Sequence, residues 1–145
     1  MTNDITTKYG LQNLYLIAQD AERVIFTPAP TLKSLYNTDT GPALVDILEG
    51  LIKYLEDFAG ARTKLQPQQR TALASVIVCR YPNLYITQMH LFVVLCMSGE
   101  FGKFYDRIDP MDITAALHDY VSRWIPTYVR EHWYNRDKYY NIDKT

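Results

Sequence analysis

Apolar residues recur at helical spacing along almost the whole chain, and this pattern constrains the fold more than any other feature. The clearest stripe consists of Leu44, Ile47, Leu48, Leu51, Ile52, Leu55 and Phe58. Intervals of three and four residues place side chains on one face of a helix. Pro42 suits the first turn of this helix, and Gly60 suits the residue just after its end. Beyond the short segment 84–86, no alternation typical of strands is present, so the sequence predicts an all-α fold.

Prolines, glycines and capping residues divide the pattern into about five or six helices with short connections. In chain order these are a stripe over residues 11–25, a short turn capped by Thr31, the helix from Pro42, a helix from Pro67 to Arg80, one capped by Thr87, and one that begins at Pro110. Residues 91–97 are apolar nearly all round, so they are expected to be the most buried. Pro126 should kink or break the last helix, because it lacks the N–H that the helix needs.

Length and composition favour one domain with one core. The chain has 145 residues, of which 48% are hydrophobic. We therefore expect a single helical domain over residues 1–145, with residues 135–145 as a frayed polar tail. The first eight residues are polar, and the longest apolar run has seven residues, whereas a membrane span needs about 20. With Cys79 and Cys96 interpreted as buried thiols, these features predict a cytoplasmic protein without a membrane segment.

The sequence lacks the residue patterns that metal, cofactor and catalytic sites need. Its three histidines and two cysteines are not at ligand spacing, and no nucleophile elbow or phosphate-binding glycine loop is present. Asp106, Asp109 and Asp112 could bind a cation, but Asp109 and Asp112 suit capping of the helix that begins at Pro110. We therefore expect a non-enzymatic protein with no metal, no cofactor and no catalytic residue.

A loop after the most buried helix combines basic and aromatic residues. Residues 61–110 hold six Lys and Arg against three Asp and Glu, whereas residues 1–60 hold four against eight. The residues expected to order the loop are Gly99, Phe101, Gly102, Phe104 and Asp109. The residues expected to bind a partner, on the loop or near it, are Lys103, Tyr105, Arg107, Arg62, Arg80 and Arg123.

Interleaved cations and aromatic rings suit three roles. They form hot spots of protein interfaces, they bind single-stranded nucleic acid, or the rings only close the core while the cations are solvated. A net charge of −1 gives no bulk attraction for nucleic acid. We therefore predict an interaction protein that binds another protein, with single-stranded nucleic-acid binding as the alternative.

Several motifs follow one another from about residue 28 onward. They are Pro30-Thr-Leu-x-x-Leu35, Leu65-x-x-x-Gln69, Tyr81-Pro-x-Leu84 and the run from Ser98 to Ile113 with its Gly-x-x-Gly-x-x-Tyr core. In these motifs the chain resembles small helical proteins of Bacteroidetes genomes, their phages and mobile elements, which form a domain of unknown function. The helix layout is also similar in outline to the N-terminal domain of phage helicase loaders, which binds a replicative helicase. These resemblances imply no activity, and they imply a replication protein as the partner.

The C-terminal segment carries many aromatic residues for a solvated tail. They are Tyr128, Trp133, Tyr134, Tyr139 and Tyr140. Tyr and Trp combine a large apolar surface with a polar group, so they suit surfaces that are partly buried. We expect this segment to dock on the core of its own chain or on a second copy, as a homodimer.

Overall fold

The computed structural model describes residues 2–103 and 108–140, and in these ranges the fold is all-α, as predicted. The helices are α1 (Thr2–Tyr9), α2 (Leu14–Ala18), α3 (Ala21–Phe26), α4 (Leu32–Leu35), α5 (Gly41–Ala59), α6 (Pro67–Arg80), α7 (Ile86–Met97), α8 (Pro110–Asp119), α9 (Ile125–His132) and α10 (Asp137–Tyr140). They exceed the five or six predicted, because several are single turns. None of the helices in these ranges has both the length and the apolar composition needed to cross a lipid bilayer.

Helices α5 and α7 form the centre of the core. Helix α5 packs against α1, α6 and α7, while α7 also packs against α2 and α3. Leu48 and Leu51 of α5 and Ile86 of α7 are completely buried. The prediction that the apolar segment 91–97 lies in a highly buried helix is confirmed for α7. Burying a leucine or isoleucine side chain contributes about 1.5–3 kcal/mol, so this layer supplies much of the driving force for folding.

Several predicted helix ends are confirmed in atomic detail. Thr31 Oγ1 accepts the backbone N–H of Ser34 at 3.1 Å. The Asp109 carboxylate accepts an N–H of the first turn of α8, and the Asp112 carboxylate accepts the N–H of Asp109 at 3.1 Å. Gly60 ends α5 with a φ of 69°, a left-handed conformation that favours glycine.

The start of α7 differs from its prediction. The helix begins at Ile86, so Thr87 lies inside it and is not the cap. The Gln88 side chain accepts the N–H of Tyr85 at 2.9 Å and fills the capping role. The preceding residues pair with the start of α4, since the N–H of Ile86 donates to Pro30 and the N–H of Leu32 donates to Leu84. This pairing holds the chain extended just before the helix.

The stripe predicted as one helix over residues 11–25 is divided into separate short helices. The chain forms a 3₁₀ turn over Leu11–Asn13 and then α2, and Asp20 interrupts the helix before α3. The Asp20 side chain accepts the N–H of Arg23 at 3.2 Å and caps α3. Aspartate competes for backbone N–H groups in this way, so a helical apolar pattern does not guarantee a continuous helix.

Pro126 is accommodated without a break. Helix α8 continues through a π-helical turn over Tyr120–Trp124 directly into α9, where Pro126 is the second residue. Because the helix runs on through this point, Pro126 removes one backbone donor from it, and the neighbouring backbone must adjust. The wider turn before it is the local adjustment of the helix at this proline, and the helix does not break there.

Two residues of the segment 135–140 contact α3, in the part of the chain where the sequence predicts a frayed tail. Asn135 Nδ2 and the Tyr139 hydroxyl both donate to the Glu22 carboxylate, at 3.1 and 2.7 Å. The Tyr139 ring stacks on Phe26, with centroids 6.2 Å apart. The aromatic segment thus docks in part on its own chain. Residues 141–145 lie outside the described ranges.

The two cysteines differ from each other. Both are free thiols, and Cys96 is buried as predicted. Cys79 is exposed, which corrects its interpretation as a buried thiol. Apolar neighbours in sequence do not bury a residue that lies on the outer face of its helix, and α6 also exposes 46% of Val76.

Candidate functional site

The loop after α7 begins with two glycines in left-handed conformations. Gly99 has a φ of 83° and Gly102 a φ of 97°, values that residues with a side chain rarely adopt. The N–H of Gly102 donates to the carbonyl of Gly99 at 3.2 Å, and the N–H of Glu100 donates to Leu95 at 3.0 Å. The start of the loop is therefore a hydrogen-bonded turn, and both glycines have backbone conformations that favour glycine.

Phe101, the aromatic residue of the loop that lies within the described ranges, packs against the core. The Phe101 ring lies 5.8 Å from the Phe92 ring and 5.9 Å from the Tyr120 ring, measured between centroids. Ile108, where the described chain resumes, is 2% exposed. Phe101 thus closes the end of the core. The remaining predicted loop residues, Phe104, Tyr105 and Arg107, lie outside the described residues.

A cavity of about 200 Å³ lies at the base of this loop, between the last turns of α5 and α7. We call it the loop cavity, and its lining includes Leu55, Phe58, Met97, Gly99, Gly102 and Lys103. Its wall is mostly apolar, and Lys103 is an exposed cation among the lining residues. A concave apolar surface with a few placed polar groups is typical of a binding site.

Phe58 is the residue of this site that the sequence pattern misplaces. It belongs to the predicted buried stripe of α5, yet 58% of its surface is exposed. The stripe predicts which face of the helix is apolar, but not how far along that face the neighbouring elements reach. A large aromatic side chain left exposed beside an apolar cavity is a common feature of interface hot spots.

The other predicted partner-binding cations lie elsewhere. Arg123 Nε and Nη2 donate to the Asp119 carboxylate at 2.7 and 2.8 Å, and this hydrogen bonding lowers the pKa of Asp119. Arg80 lines a different cavity, next to Val121. Arg62 is exposed in the connection between α5 and α6 and lines neither cavity. Within the described ranges, Lys103 alone among the predicted cations lines the loop cavity.

His90 and Cys96 are two buried titratable groups of the fold. Both ring nitrogens of His90 lie within hydrogen-bond distance of carbonyl oxygens, Nδ1 of Ile86 at 3.0 Å and Nε2 of Tyr9 at 2.8 Å. Burial raises the pKa of the Cys96 thiol to about 12, so the nucleophilic thiolate is scarce at neutral pH. In the part of the chain that the structure describes, no three His, Cys, Asp or Glu side chains are grouped so that they could hold a metal ion.

No protein-family model matches this chain, and no curated protein or solved structure does so either.

Proposed function

We propose that the protein is a non-enzymatic interaction protein that binds another protein at the loop cavity. The observation that carries the proposal is the exposure of Phe58 beside this cavity. An exposed phenylalanine keeps a large apolar surface in contact with water, and covering it with a partner would release that water.

The chemistry of the loop cavity favours one kind of partner segment. Its apolar wall suits an inserted apolar side chain, and the Lys103 ammonium suits a carboxylate next to that side chain. The partner segment therefore carries an apolar residue beside Asp or Glu. Because the Gly99 turn is hydrogen-bonded before binding, little conformational entropy would be lost at this edge when the partner docks.

A replication protein of a phage or mobile element is the partner class that we propose. This step rests on the resemblance of residues 98–113 and of the helix layout described above, and the loop cavity lies directly at that motif. The chemistry of the loop cavity is compatible with any class of protein partner. Only the resemblance favours a replication protein within that range.

Affinity capture with the whole chain as bait tests the proposal. We expect Phe58→Ala and Lys103→Glu each to lose the same captured protein, as measured by quantitative mass spectrometry. The matched controls are Val76→Ala, which removes an exposed apolar side chain from α6, and Lys33→Glu, which reverses an exposed charge on α4. Both controls should capture as the wild type does.

The outcomes of this capture separate the candidates. Equal capture by the site variants and the controls, with folding intact by circular dichroism, would place the partner elsewhere and contradict the proposal. Binding of labelled single-stranded DNA that weakens steeply with salt and is lost in Lys103→Glu would replace the protein partner with nucleic acid.

A further inference from the structure

A second cavity, of about 310 Å³, lies between the end of α1, helices α2 and α3, and the first turn of α7. We call it the threonine cavity, and its lining includes Lys8, Ile17, Arg23, Val24, Thr27 and Thr87. Its volume lies at the lower end of the range of small-molecule sites, about 300–1,000 Å³. It shares no lining residue with the loop cavity.

Two buried hydroxyl groups belong to residues of this cavity. Thr27 directly follows α3, and Thr87 lies in the first turn of α7. Both Oγ1 atoms are buried, and neither has a hydrogen-bond partner among the described residues. Buried hydroxyls are almost always paired, because burial removes them from water without compensation. Water does not reach either atom in this conformation, so the two hydroxyls would gain partners if rotation about χ1 turned them toward a ligand in the cavity.

Two exposed cations line the same cavity. Lys8 Nζ lies 5.6 Å from the centre of the Tyr9 ring, and the Arg23 guanidinium forms no ion pair with a described residue. The nearest acidic residue along α3, Glu22, is instead engaged by Asn135 and Tyr139. Asp20 lies three residues before Arg23 and accepts its backbone N–H as the cap of α3. The Arg23 guanidinium therefore keeps its five donors for a ligand.

We propose that the threonine cavity binds a small organic anion with an apolar body, a carboxylate or a phosphate monoester. The anionic group pairs with Arg23 and Lys8, because both cations line the cavity and a guanidinium matches a planar or tetrahedral anion with two parallel hydrogen bonds. The apolar body packs against Ile17 and Val24. Rotation about the χ1 bond lets Thr27 and Thr87 turn their hydroxyls toward the polar atoms of the ligand.

Titration of the ¹⁵N-labelled full chain with hexanoate, hexyl phosphate and hexanol tests this inference. We expect both anions to cause saturable shifts of the amide signals of Thr27 and Thr87. Hexanol has the same apolar body without the charge, so we expect it to bind at least about tenfold more weakly. The anion that binds more tightly identifies the headgroup, carboxylate or phosphate.

Variants show whether the named residues form the site. Arg23→Gln should weaken anion binding about tenfold. Thr27→Val and Thr87→Val should each weaken it too, since valine keeps the shape and removes the hydroxyl. Arg130→Gln, which removes an exposed charge from α9, should bind as the wild type does.

Three results would overturn the inference. They are no saturable shift with either anion up to about 10 mM, equal binding of hexanol and the anions, or unchanged affinity in Arg23→Gln with folding intact by circular dichroism. If both valine variants bind anions as the wild type does, the two hydroxyls hold ordered water only, and the assignment of their role is wrong. These measurements concern the threonine cavity alone. Failure of this inference is therefore distinguishable from failure of the proposed protein partner at the loop cavity.

Discussion

The hydroxyl group of Tyr120 donates a hydrogen bond of 2.8 Å to the carbonyl oxygen of Gln88. Tyr120 is completely buried at the start of the π-helical turn, and Gln88 lies in the first turn of α7. Burial raises the pKa of the Tyr120 hydroxyl well above its ordinary range, so the group keeps its proton and acts as a donor. This bond connects the C-terminal helices to the central helix of the core.

Tyr120→Phe should lower the free energy of unfolding by about 1–2 kcal/mol, because it removes the donor and leaves a buried carbonyl with one hydrogen bond fewer. Urea denaturation followed by circular dichroism measures the change. Tyr134→Phe is the matched control, since Tyr134 is 78% exposed. Equal stability of the two variants would mean that the buried bond contributes nothing.

Arg70→Met should be strongly destabilising, because it leaves the completely buried Glu56 carboxylate without its cation. Glu56 accepts the N–H of Leu65 at 2.6 Å and Arg70 Nε at 3.2 Å, and Arg70 Nη2 donates to the carbonyl of Leu65 at 3.0 Å. Breaking a buried ion pair in this way costs about 3–5 kcal/mol. The control is Arg123→Met, which breaks an exposed pair with Asp119 and should not change the denaturation midpoint measurably. A midpoint shift of similar size in both variants would contradict the prediction.

Gly50 within α5 and Gly60 just after its end should respond to alanine with opposite signs. A Cβ at Gly50 meets no atom within 4 Å, so Gly50→Ala should stabilise the helix by about 0.5–1 kcal/mol. Gly60 has a φ of 69°, so Gly60→Ala should cost about 1–2 kcal/mol. Thermal unfolding of the two variants provides the comparison, and changes of the same sign would show that the backbone conformation does not decide the effect.

His90 should make the fold less stable as the pH falls below about 6.5. Burial lowers the pKa of His90, so the unfolded chain binds a proton more readily than the folded chain does, and stability rises with pH in that window. Urea denaturation at pH 7.5 and pH 5.5, conditions on either side of about 6.5, measures the slope. His90→Asn should abolish the slope.

Carboxylates affect the stability of the fold in a different pH range, so they do not interfere with the test of His90. Hydrogen bonds lower the pKa of Glu22, Asp57 and Asp119, so the stability that they add is lost only near and below about pH 4. A slope between pH 5.5 and 7.5 that persists in His90→Asn would assign the effect to another group.

Docking of α10 on α3 should be visible in the titration of Tyr139. Its hydrogen bond to the Glu22 carboxylate raises the pKa of Tyr139 to about 12. In Glu22→Gln the pKa should fall toward about 10, the value of an unperturbed tyrosine. Carbon-13 signals of the tyrosine ring report the titration, and Glu49→Gln on α5 is the control. An unchanged Tyr139 pKa in Glu22→Gln would mean that this contact does not form.

The C-terminal segment also exposes two aromatic side chains to solvent. Trp133 and Tyr134 are 52% and 78% exposed, whereas Tyr128 stacks between Trp124 and His132 with centroids 5.0 and 3.9 Å away. The homodimer through this segment stays a prediction. Light scattering of Trp133→Ala and Tyr134→Ala against the wild type measures it.

Local sequence patterns predict the helical class and several of the helix ends. Gly60 is predictable because a left-handed residue ends a helix, and Asp109 because a carboxylate can accept the free N–H groups of a first turn. These are interactions between residues close in sequence, so the order of amino acids is sufficient to indicate them. The apolar spacing does not predict the break at Asp20, because it continues across this residue, although the signal of the capping aspartate is local.

Tertiary structure decided which parts of each apolar stripe are covered. Phe58 lies on the predicted inner face of α5 yet is exposed, while Glu56, a charged residue, is completely buried. The pairing of Glu56 depends on Arg70 of α6, and the exposure of Phe58 depends on how far other elements cover the end of α5. Periodicity predicts the direction of a side chain, but burial and pairing depend on the three-dimensional packing of other helices.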